Sequence, residues 1–267
     1  MSTSNRIYVE TVDIARGIAA LGVMTYHLLY YEQITDLDRV SYYFVYAFFI
    51  ISGFSLYLTY RDRMSTLEQL RVYAVKRFRR IAPLFWFAVL IYVLLIGVPA
   101  KPWTIIAMNL ALAFGFTNPG STSMLTGGWS IGIEMVFYLC LPLLTLIGTG
   151  SLRRLTILSL ISVVSMVAFV NATLAGHPTM REVWVDYTQP WAFFGYFAVG
   201  CLLGEIYLRR PDAKGQEAMV LAAGARALLV CHSPIGLPQR PANWLDGFPT
   251  DDRDHADHSG YRVSPRA

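Results

Sequence analysis

Six stretches of this 267-residue sequence, at 12–31, 40–60, 81–100, 129–150, 155–174 and 187–208, are mostly apolar. Each is about 20 residues long, the length a helix needs to cross the hydrocarbon core of a bilayer, where the backbone must satisfy its own hydrogen bonds. The sequence therefore predicts an all-α, polytopic integral membrane bundle of six transmembrane helices. A seventh apolar stretch, 103–117, is shorter and runs into the turn-rich TNPGSTSMLTGG, which predicts a re-entrant or interfacial segment. With 55% hydrophobic and only 15% charged residues, the composition fits such a bundle and excludes an ordinary soluble domain.

Charge sets the expected orientation. Arg61, Arg63, Arg71, Lys76, Arg77, Arg79 and Arg80 lie between the second and third stretches, whereas the first connection holds Glu32, Asp36 and Asp38 against Arg39. The positive-inside rule then puts the N-terminus and the 61–80 segment in the cytosol. Arg153, Arg154, Arg209 and Arg210 reach the same side only if 103–117 returns to the side it entered. The net charge of +4 sits beside apolar runs without an aromatic-interleaved basic stripe, so it indicates membrane orientation and no nucleic-acid partner. Cys140, Cys201 and Cys231 show no metal-like spacing, so neither zinc nor a disulfide framework is expected. The first apolar stretch lacks a small-residue cleavage site and reads as a retained span. From 211 to 267 the chain turns polar and aperiodic, and a disordered tail is expected there.

Ionisable residues inside spans mark candidate function, because each is costly in hydrocarbon unless it faces a cavity or a partner. Arg16 and His27 are eleven residues apart, which is three helical turns plus about 20°, so they share one face with a rise of about 16.5 Å between them. Glu134 lies inside the 129–150 stretch. In the topology above it falls about 7.5 Å below the outer edge, and His27 about 6 Å, which predicts a carboxylate beside an imidazole. Arg77 and Arg80 are three apart on one expected short helix entering the third span, where two guanidinium forks can hold one phosphate. Residue type alone leaves other roles open: a snorkelling Arg16, packing hydrogen bonds for His27 and Glu134, and a purely topogenic Arg77 and Arg80. Ser52 and Gly53 read as packing residues.

Taken in order, RGIAALGVMTYH, FFIISGF, KRFRRIAPLFW and WSIGIEMVFY closely resemble the motifs of the membrane-bound acyltransferase-3 family, over residues 8 to about 210. Arg16 and His27 match its Arg-x10-His element, Arg77 and Arg80 its Arg-x-x-Arg element, and Glu134 the acid of its Trp-Ser-x-x-x-Glu-x-x-Phe-Tyr element. The resemblance implies an O-acyltransferase of the bacterial inner membrane with His27 and Glu134 catalytic and Arg16, Arg77 and Arg80 on the donor. It implies acyl-CoA as co-substrate, acetyl-CoA in the simplest case, no bound cofactor, and a carbohydrate or lipid-linked glycan acceptor at the outer face. The family's domain usually has about ten spans, so six imply a C-terminally truncated member. Two other classes compete: a transporter or flippase using Arg16, His27 and Glu134 as a relay, and an inactive fragment with a packing role.

Overall fold

The computed structural model describes residues 10–31, 38–97, 102–175 and 180–209, and the 211–267 segment lies outside them, as does the first connection, residues 32–37. The described chain is helical, with no strands. Its helices are α1 (Glu10–Tyr31), α2 (Asp38–Tyr60), α3 (Leu67–Ile96), α4 (Trp103–Leu110), α5 (Pro119–Thr122), α6 (Trp129–Gly150), α7 (Leu152–Leu174), α8 (Met180–Tyr187) and α9 (Phe194–Arg209).

Among the described residues four helices are long and apolar enough to cross a membrane: Tyr43–Tyr60 within α2, α3, α6 and α7. The α1 helix has the length, 22 residues, but Asp13, Arg16 and His27 dilute its apolar character. The sixth expected stretch, 187–208, is not one helix. Pro190 biases Gln189 to an extended conformation (ψ 149°), and a 3-10 turn at Pro190–Ala192 separates α8 from the 16-residue α9. The short apolar segment becomes α4, whose eight residues rise only about 12 Å and end where Leu112 takes a left-handed φ of 55°.

The basic cluster lies on the third span itself, where the sequence suggested a separate short helix. Thr66 begins α3 with a capping box: its hydroxyl accepts from the Gln69 N–H at 3.3 Å, and the Gln69 side chain accepts from the Thr66 N–H. Thirty residues then run without a break, about 45 Å against a hydrocarbon core of about 30 Å, so one end must protrude. That end carries Arg71, Lys76, Arg77, Arg79 and Arg80.

The core lies where α2 packs on α9 and α9 on α7. Small residues permit the close approach: a Cβ at Gly53 would strike the Phe197 carbonyl, and one at Gly200 the Ile50 carbonyl. Buried Phe54, Tyr57, Phe137, Tyr196 and Phe197 fill the space around them. The α1 helix contacts α2 and leaves Ile14, Ile18, Leu21, Met24 and Leu28 exposed on its other side.

Candidate active site

The α1 and α6 helices run antiparallel, and their polar residues meet at two levels. At one level His27 faces the turn that precedes α6: a Cβ built on Gly127 would stand 3.6 Å from His27 Nε2. Gly127 occupies a φ of 77°, a conformation costly for other residues, so the backbone itself forms this edge. The turn is braced by Asn109, which is fully buried, donates to the Thr122 carbonyl at 2.7 Å and accepts from the Met124 N–H at 2.9 Å. At the other level Arg16 pairs with Asp13 at 3.5 Å and lies in the field of Arg80, Glu134 and Tyr138. Eleven residues separate Arg16 from His27 on α1, about 16.5 Å of helical rise, and nine separate Trp129 from Tyr138 on α6, about 13.5 Å, with the Gly127 turn beyond.

Glu134 is half-buried on α6 between these levels. Its Oε1 accepts from Ser52 Oγ of α2 at 2.8 Å and from Tyr138 Oη at 2.6 Å. Both of these donors are hydroxyls. Glu134 is five residues into α6 from Trp129, about 7.5 Å of rise, with the Gly127 turn beyond that end, and Tyr138 is one turn further on. Any support Glu134 gives the imidazole acts across space.

Proline explains how α3 is fixed beside it. Pro142 lacks the N–H that would bond the Tyr138 carbonyl one turn back, and that carbonyl accepts instead from Tyr73 Oη of α3 at 2.9 Å. One turn along α3, Arg77 lies over the rings of Tyr60, 5.2 Å away, and Tyr138, 5.9 Å away. Its Nη2 donates to Tyr60 Oη at 3.1 Å, while its buried Nε has no hydrogen-bond partner among the described residues. Arg80 is exposed one turn further on. The structure thus gathers Arg16, Arg77, Arg80 and Glu134 and sets His27 apart at the far end of the same α1 face. Arg16 lies in the field of Arg80 and of Glu134, and Arg77 covers the Tyr138 ring whose hydroxyl bonds Glu134, so the cations outnumber the one cavity-facing carboxylate, a balance suited to an anionic ligand.

Between the levels lies a cavity of about 220 Å³, walled by Val23 of α1, Phe48 and Phe49 of α2, and Ser130 and Glu134 of α6. Val23 is four residues from His27 on α1 and Ser130 three from Gly127, so both helices place the cavity one turn below the imidazole. Sequence reasoning assigned no chemistry to Ser52, Tyr60 or Tyr138. Tyr138, at i+4 from Glu134, was readable as a partner by spacing; Ser52, 82 residues away from Glu134, carried no such signal.

A family profile describing an acyltransferase domain matches residues 9–248. The chain is also similar to the peptidoglycan O-acetyltransferase OatA of Listeria monocytogenes, at 27% identity over 165 residues, which cover 54% of this chain and 25% of that protein. It therefore spans about a quarter of the length of that relative. No solved structure matches.

Proposed function

Because the chain belongs to the acyltransferase domain family, matched over residues 9–248, we propose that it is a membrane O-acyltransferase. It takes an acyl group from cytosolic acyl-CoA and passes it to a hydroxyl of a carbohydrate or lipid-linked glycan at the outer face. Acetyl is the acyl group that the name of the similar Listeria O-acetyltransferase suggests. The setting is the bacterial inner membrane, with the N-terminus cytosolic and α1 and α9 completing six spans. The positive-inside bias of residues 61–80 supports that orientation.

The observation that carries the reading is the separation along α1: Arg16 beside Arg80 at one end, and His27 against Gly127 at the other. Arg16, Arg77 and Arg80 hold the phosphates of coenzyme A, where guanidinium forks suit phosphate oxygens. The unmatched Arg77 Nε supports this, since it is a buried donor in want of an acceptor. The pantetheine arm then extends the thioester towards His27.

The chemistry needs one base at the thioester. His27 takes the proton from the acceptor hydroxyl as its oxygen attacks the thioester carbonyl, and the C–S bond breaks. The proton passes to the departing sulfur, so the imidazole ends neutral and coenzyme A leaves as the thiol. Direct transfer and a transient acyl-imidazole both use this arrangement. Glu134 stabilises the imidazolium through space.

Membranes carrying the chain, given radiolabelled acetyl-CoA and a glycan acceptor, test the reading. Label should reach the acceptor, and His27→Ala should abolish the transfer while the protein still inserts. Transfer by His27→Ala at the unaltered rate would overturn the base assignment, and acceptor movement without label would replace the transferase by a transporter.

A further inference from the structure

The cavity beneath His27 is larger than the acetyl group demands. An acetyl group has three heavy atoms, whereas a cavity of about 150 Å³ lined by aliphatic and aromatic side chains holds benzene, with six. This one measures about 220 Å³. Its upper wall is Val23 and Val45, its middle Phe48, Phe49 and Ile131, and Glu134 closes the end away from His27. Ser52, which binds that carboxylate at 2.8 Å, lies about one turn below Phe48 and Phe49 on α2.

We infer that this cavity receives the acyl chain of the donor, and that it selects chains of roughly four to six carbons over acetyl. The inference rests on the acyl-transfer reading above and replaces its acetyl donor by a longer one, with acetyl remaining a poorer substrate. A thioester held at His27 has its acyl carbons one helical turn from the cavity mouth, and each methylene that enters leaves water for an apolar wall. A single methylene in such a pocket changes specificity by about 10- to 200-fold. The far end sets the upper limit, because a chain long enough to press on Glu134 would strip solvent from a carboxylate without offering it a hydrogen bond. The phenylalanine and valine walls determine width, and the carboxylate determines length.

The test uses the full chain in membranes with acetyl-, butyryl-, hexanoyl- and decanoyl-CoA. The ratio of kcat/KM for hexanoyl-CoA to that for acetyl-CoA should exceed one, decanoyl-CoA should fall below both, and Val45→Phe, which fills the upper cavity, should lower the hexanoyl-to-acetyl ratio at least tenfold. A second measurement reads binding without turnover: hexanoyl-CoA with a diazirine at the chain end should crosslink residues 45–49 and 130–134, and unlabelled hexanoyl-CoA should compete better than acetyl-CoA. An unchanged ratio in Val45→Phe, or crosslinks confined to 77–80, would overturn the inference while leaving acyl transfer standing. Crosslinks in the cavity without transfer from any donor would sustain the pocket and overturn the transferase.

Discussion

Two glutamates inside the bundle meet opposite fates. Glu205 on α9 is fully buried and saturated by charge: Arg61 grips it with Nε at 2.5 Å and Nη2 at 3.0 Å, Arg209 with Nε at 2.7 Å, and Tyr57 donates at 2.9 Å. Among the described residues Glu134 on α6 is bonded by two neutral hydroxyls, and Arg16 acts on it through its field without an ion pair. A carboxylate clamped between two guanidiniums has its charge spent on joining α2 to α9. One held by hydroxyls beside a cavity keeps its charge available to whatever enters. The difference separates a fastening from a working group, and residue type alone does not show it.

The comparison breaks most readily at Glu205. Replacing it with Ala leaves Arg61 and Arg209 without their shared counter-charge, and the bundle should lose on the order of 3 kcal/mol, read as a lowered Tm in detergent. Glu134→Gln should leave that Tm nearly unaltered and slow acyl transfer instead. If both substitutions destabilise alike, Glu134 is a fastening too.

The next effect in size is Arg77→Ala. A charged hydrogen bond is worth about 2 kcal/mol, so the KM for acyl-CoA should rise about 30-fold while the KM for the acceptor stays put. Arg80→Ala, at an exposed position, should raise it less. A rise in the acceptor KM instead would move Arg77 away from the donor.

The smallest effect sharpens the contrast. Ser52→Ala removes one of the two hydroxyls from Glu134, and hydrogen bonds between membrane helices average about 0.6 kcal/mol, so stability should barely change. Transfer should fall modestly, and Ser52→Thr, which restores a hydroxyl, should recover it. Failure of Thr to rescue would make Ser52 the packing residue that its sequence context suggested.

What the sequence could disclose follows from what each signal measures. The 129–150 stretch coincides with α6, because a long apolar run flanked by glycine and serine leaves few alternatives. The common face of Arg16 and His27 was legible for the same reason, since helical pitch is local arithmetic. The break at Pro190 was also written in the sequence, but apolar length outweighed it. Partnership between helices is different. Tyr57 and Arg61 are one helical turn apart, but Glu205 lies 148 and 144 positions from them, so the clamp is not readable until the α2–α9 packing brings them together.

The proline in α6 has a further meaning for how such a site keeps its register. A helix whose every carbonyl is matched internally can slide and rotate against its neighbours at little cost, since nothing on its backbone distinguishes one position from the next. Pro142 makes one position unlike the others: it exposes a single acceptor, and the Tyr73 hydroxyl occupies it. The defect therefore works as an index mark that fixes α3 in both height and rotation, with Arg77 one turn along. Restoring the ideal helix with alanine would strengthen α6 taken alone and erase the mark, leaving the alignment of the two helices to side-chain packing alone.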